Sequence, residues 1–327
     1  MKKFLLFAAA FIYSLLSFSC KEDFSPKIEF KQKYVLNCYV DLDYDQYTNT
    51  KVYATVSKLY DVDGFTPSKN NIDPTVSGAE IYFNYRDIFY QLKEDTNRAV
   101  RTRYGTNPIY YSANLQNIYP NYTVSVSARM PDGTVLTAQT QLLEAVQFKY
   151  SYLYRKYFTT FINRFYSGNA FTITWGKIDN RLFFPEMLIE YIIDDTHKFS
   201  YEKVPCSYIK KDGKYEPVYP GITTGESISF EYAAIDSAMV NIGKGDNDKE
   251  KYFVAKIIFQ LVEMDASLSK YYSSIHGSID EYSIRLDESV YSNINNGIGI
   301  FGSKRTITNS WWFDSSYVRS FGYPGGH

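Results

Sequence analysis

Tyr122-Thr-Val-Ser-Val-Ser-Ala-Arg129 decides the fold. Tyr122, Val124, Val126 and Ala128 fall on one side of an extended chain, and Thr123, Ser125, Ser127 and Arg129 on the other. That alternation predicts a strand with one buried and one solvated face. Pro131-Asp132-Gly133 turns the chain, and Thr134 to Thr140 returns beside it.

The same period runs through the preceding hundred residues. Tyr34 to Val40 and Lys51 to Tyr60 read as strands. Ala79, Ile81, Phe83 and Tyr85 share a face, and Ile88 to Leu92 follows as the second arm of a hairpin. Leu115-Gln-Asn-Ile-Tyr-Pro-Asn-Tyr122 resembles the strand-entry segment of fibronectin type III and related immunoglobulin-like sandwiches. Residues 28–145 are therefore expected to form an immunoglobulin-like β-sandwich.

A second β-rich domain is expected over 146–327. Phe171 to Trp175 opens it. Glu186 to Ile193 pairs with Lys198 to Val204 across Asp194-Asp195-Thr196, and Glu226 to Tyr232 is a further strand. Tyr252 to Val262 is apolar on both faces except at Lys256 and Gln260, so it is expected to be central. Asp246 and Asp248 read as the tip of a hairpin loop. Leu268, Tyr272, Ile275, Ile279, Tyr282 and Leu286 recur at three- and four-residue steps, predicting one late helix near 265–287 with Gly277 weakening its middle.

The first residues carry an address. Lys2 and Lys3 precede an apolar run from Phe4 to Leu16, and Leu16-Ser17-Phe18-Ser19 leads into Cys20. The run is too short to span a bilayer and reads as a lipoprotein signal peptide over 1–19, cleaved before an acylated Cys20. Leu16 stands four residues before the cysteine rather than three, and Phe18 occupies a position where a small residue is usual. An ordinary signal cleaved after Ser19 is the alternative, since Ser17-x-Ser19 also fits. Residues 20–27 form a tether. Lys21-Glu22-Asp23 resembles the export tag behind the lipidated cysteine in surface lipoproteins of Bacteroidetes-type bacteria, which implies the outer face of the outer membrane.

Composition narrows the function classes. The formal net charge of −1 becomes −3 once Lys2 and Lys3 leave, and no block of like charge exists, so nothing attracts nucleic acid. Tyr and Phe number 33 and 23, which suits strands and also leaves rings for a binding surface. Cys38 and Cys206 are expected to be free thiols. His197, His276 and His327 are the only histidines, and no nucleophile elbow or zinc spacing is present. Asp41, Asp43 and Asp45 are the best calcium candidates, with Asp61, Asp63 and Gly64 a second acidic turn, but a solvated turn explains them as well. Asp236-Ser237-Ala238 matches a short O-glycosylation pattern. No cofactor is expected: Gly297-x-Gly299-x-x-Gly302 lacks the helix that a dinucleotide loop must open.

The tail, Val290-Tyr-Ser-Asn293-Ile-Asn-Asn-Gly297-Ile-Gly299-Ile-Phe301-Gly302, resembles a segment near the C-terminus of a family of Bacteroidetes outer-membrane lipoproteins known only as a domain of unknown function. The order of parts along the chain agrees with that family. Its members are often encoded beside TonB-dependent transporters. The resemblance implies a non-enzymatic accessory assisting such a transporter in substrate capture or capping. The alternative is a surface glycan-binding lipoprotein using exposed aromatics, and a glycan or cell-wall hydrolase is the third class. On its own residues, the glycine-rich tail reads as a strand packed closely on a neighbour rather than a ligand loop.

Overall fold

The structure, a computed structural model, describes residues 32–42, 50–59, 74–95, 110–144, 146, 148–150, 169–176, 178–194, 198–276 and 291–324. The chain is mainly β. Strand β1 is Tyr34–Leu42, β2 Thr50–Lys58, β3 Glu80–Tyr85, β4 Ile88–Asp95, β5 Tyr110–Leu115, β6 Thr123–Arg129 and β7 Val135–Gln141. Then come β8 Phe148–Tyr150, β9 Ala170–Trp175, β10 Phe183–Ile193, β11 Lys198–Lys203, β12 Ser207–Lys211, β13 Lys214–Val218 and β14 Ser227–Glu231. Helix α1 is Tyr232–Asn241, β15 Tyr252–Met264, α2 Ala266–His276, β16 Ile298–Trp312 and α3 Ser315–Arg319.

In β6, Val124, Val126 and Ala128 are buried while Thr123 and Arg129 are exposed, as the alternation dictates. β6 pairs antiparallel with β7 and with β3. The β3–β4 hairpin closes on Arg86 and Asp87, both at positive φ (51° and 63°), the two-residue turn whose twist matches the strands it joins.

One eleven-stranded sheet runs β11-β10-β15-β16-β1-β2-β5-β4-β3-β6-β7. Its apolar core divides in two. The first cluster draws on residues 34–143 together with Ile294 and Phe301. The second draws on residues 146–323, where β9 and β14 of a three-stranded sheet place Phe171, Trp175 and Phe230 against Phe183, Phe259 and Trp311.

The two parts share a strand. β16 pairs in parallel with β1 from Val35↔Ile298 to Leu42↔Arg305, and antiparallel with β15 from Met264↔Lys304 to Lys256↔Trp312. Its Phe301 packs on Phe83 in the first core, and its Ile307 and Trp311 lie in the second. A cut at residue 145 therefore does not separate the parts, because the tail completes the sheet of the first.

Helix content also departs from expectation. Besides α2, described as far as His276, α1 and α3 are helical. α1 buries Ala234, Ile235, Ala238 and Met239, a single-turn repeat too short to stand out in sequence. Residues 277–290, including Gly277, Ile279, Tyr282 and Leu286, lie outside the described residues. Asp246 and Asp248 sit in the connection from α1 to β15, not at a hairpin tip.

Candidate functional site

The tail segment locks three elements together. The Asn293 side chain both accepts from the Phe301 amide (2.8 Å) and donates to the Phe301 carbonyl (2.7 Å), imitating a strand partner. The Asn295 amide donates to the Thr137 carbonyl on β7 at 2.8 Å, and Asn296 donates to the Val135 carbonyl at 3.2 Å. Gly299 has φ +117°, and a Cβ there would collide with the Leu36 backbone. A Cβ on Gly302 would lie 2.5 Å from Leu268 Cγ and 2.8 Å from Asp265 Oδ1. These glycines serve close packing rather than ligand contact.

A polar seam lies between the cores. Asp265 closes β15 and caps α2: its Oδ1 accepts from the Leu268 amide at 2.8 Å. Its Oδ2 accepts from Thr140 Oγ1 (2.8 Å), the Ser303 amide (2.6 Å) and Ser303 Oγ (3.2 Å). Burial raises the Asp265 carboxyl above its ordinary range, and these donors pull it back. Beside it, Arg181 pairs with the fully buried Glu263, whose cross-strand neighbour is the buried Arg305. Burial raises Glu263 as well, opposed by both guanidinium groups. Asn121, Gln141, Ile178, Asp179, Arg181 and Asp265 help to line a pocket of about 340 Å³ here. The Asp265 oxygens are occupied by four protein donors, so this carboxylate is set for structure.

The opposite face of the sheet is different. Tyr201 on β11, Glu190 on β10, Lys256 on β15 and Trp312 on β16 are consecutive cross-strand partners and form one row on one face. Tyr201 Oη donates to Glu190 Oε2 at 3.4 Å, Lys256 Nζ lies 3.3 Å from Glu190 Oε1, and Lys256 Nζ sits 5.8 Å from the Trp312 ring centre. A β-bulge at Glu190/Tyr191 sets this register. Lys203 pairs with Glu186 at 2.6 Å on the same face. Tyr201, Trp312 and the neighbouring Phe199 are 51, 49 and 60% exposed. α2 covers only the far end, where Tyr272 packs edge-on against Phe184 at 5.3 Å.

Cys20, Lys21, Glu22 and Asp23 lie outside the described residues, as do Asp43, Asp45, Asp61, Asp63, Gly64, His197 and His327. Asp41 is on β1 and pairs with Lys304 at 3.3 Å. Among the described residues, no three His, Cys, Asp or Glu side chains gather as a metal site, and no helix is long and apolar enough to cross a membrane. Cys38 and Cys206 are free, the first buried in the first core, and burial pushes the Cys206 thiol up to about 11. Asp236 accepts from Tyr317 Oη at 2.8 Å and Ser237 from α1 donates to the Ala233 carbonyl, so both are engaged within the helical layer. Lys256 and Gln260, two of the three polar residues of β15, were read only as exceptions in a central strand, although their four-residue spacing puts both on the open face.

Compared with models of known protein families and with curated proteins, the chain matches none.

Proposed function

We propose that this protein is a lipid-anchored accessory of the outer membrane, held by Cys20 and facing the cell exterior. It assists a TonB-dependent transporter by capturing substrate or capping the barrel, and it acts by binding rather than by catalysis. The observation that carries this reading is the open face of β10, β11, β15 and β16. Three large rings stand half-exposed there beside paired charges, on rigid strands rather than on loops. Half-exposed rings grouped on one face serve a partner or ligand better than they serve the fold. The tether behind Cys20 keeps such a face at the membrane surface.

The test is cross-linking in intact cells, followed by purification of the lipidated protein from outer membranes and mass spectrometry. A TonB-dependent transporter is expected in the cross-linked product of the wild type and absent with Cys20→Ala. A product containing no such transporter in any growth condition would overturn the reading.

A further inference from the structure

We infer that the Tyr201–Glu190–Lys256–Trp312 row is a binding site for a neutral carbohydrate chain, with Tyr201 and Trp312 as stacking platforms. This rests on the reading of the protein as a binding accessory and names the ligand class of its open face. Four observations converge. The two rings stand at the ends of a row three inter-strand steps wide, about 14 Å, which suits an extended chain of sugar rings rather than one small molecule. Aromatic faces are electron-rich and attract the C–H faces of pyranose rings. Between them lie groups that donate and accept hydrogen bonds, as hydroxyls require: the Glu190 carboxylate and the Lys256 ammonium.

Charge decides against other ligands. Glu190 is balanced by Lys256 and Glu186 by Lys203, so the face offers no net charge to an anionic or cationic polymer. It also decides against a protein partner. Protein interfaces deplete charged residues at their centre and desolvate it. Here the charged pair runs through the centre and the aromatics stand at the ends. Glu190 is only 8% exposed although it faces outward, because Tyr201 and Lys256 flank it, so the hydrogen-bonding floor is already ordered before any ligand arrives.

The lipidated protein in a detergent without a sugar head group is run in native gels containing laminarin, xyloglucan, galactomannan or amylopectin. Polygalacturonate and chitosan serve as charged controls. At least one neutral polymer is expected to retard the protein, with neither control doing so. The same polymer should shift tryptophan emission, because Trp312 is exposed while Trp175 and Trp311 are buried. Trp312→Ala and Tyr201→Ala should each weaken retardation about tenfold. Trp312→Phe, which keeps a ring, should retain most of it, and all three variants should melt within a few degrees of the parent.

No retardation by any of the four neutral polymers would overturn the inference, as would retardation indifferent to both alanine variants. If those variants instead abolish the cross-linked transporter while no polymer binds, the face is a protein interface. The accessory reading then stands and the carbohydrate site falls.

Discussion

Thr140 and Asp265 lie 125 positions apart, yet the Thr140 hydroxyl donates to the Asp265 carboxylate at 2.8 Å in a buried site. That bond ties the last strand of the first part to the first turn of α2, and through Ser303 to the strand both parts share. Asp265→Ala removes a helix cap, about 1 kcal/mol, and strands the Ser303 amide and the Thr140 hydroxyl, about 1–3 kcal/mol more. Chemical denaturation should show a loss of about 3 kcal/mol, and about 1 kcal/mol for Thr140→Val. Because the two share one bond, the double variant should lose less than the sum. Additive losses would mean that the bond contributes nothing.

Gly299 tests the tail. Its φ of +117° is unfavourable for any side chain, and a Cβ meets the Leu36 backbone across the parallel ladder. Gly299→Val should cost about 3 kcal/mol or more, read as a lowered melting temperature. Gly302→Ala, facing Leu268 and Asp265, should cost less, since a side chain can yield. A Gly299→Val protein that melts like the parent would refute the packing role.

Asp246 sets an acid limit. Its carboxyl is lowered from 3.8 to about 2 by the Lys251 side chain first, then by the Asp248 amide and the Tyr252 hydroxyl. A depressed carboxylate stabilises the fold above its unfolded value, and that contribution is lost as pH falls through the folded one. Stability should therefore decline between about pH 4 and pH 2, and Asp246→Ala should flatten that segment of the profile. An unchanged profile in the variant would assign the acid limit to other groups.

The anchor is tested by Cys20→Ala, which should move the processed protein from the membrane pellet to the soluble fraction. Replacing Lys21, Glu22 and Asp23 with alanine should leave the protein in the pellet but lower its cleavage by protease added to whole cells. Processed Cys20→Ala protein that still pellets would remove the anchor from the account.

Period-two patterning made β1, β2, β3, β6 and β7 legible, because each has one continuous buried face, and β15 was legible as a run apolar on both faces. The β12–β13 hairpin went unread, although Asp212-Gly213, both at positive φ, is a residue pair that such a two-residue turn favours. α1 escaped because ten residues offer only one repeat of its apolar face. The parallel pairing of β1 with β16 was not legible at all. Nothing local to either strand names a partner so far along the chain, and only the glycines at 299 and 302 hinted at a close neighbour. The open face was not read from the sequence: Lys256 and Gln260 stood only as polar exceptions in a central strand, and a row across four strands exists only once register is set. Of the calcium candidates, Asp41 alone lies among the described residues, and there it pairs with Lys304.

The shared strand puts a clock on the molecule. Strand β1 is synthesised long before its parallel neighbour β16. Until β16 arrives, one flank of β1 is an unmet edge and the first core lacks Phe301. Pairing across such a separation closes slowly, so the first core cannot finish until β16 has been made. A product broken off before β16 would hold most of its strands and an unfinishable fold, and is material for proteases rather than a working half.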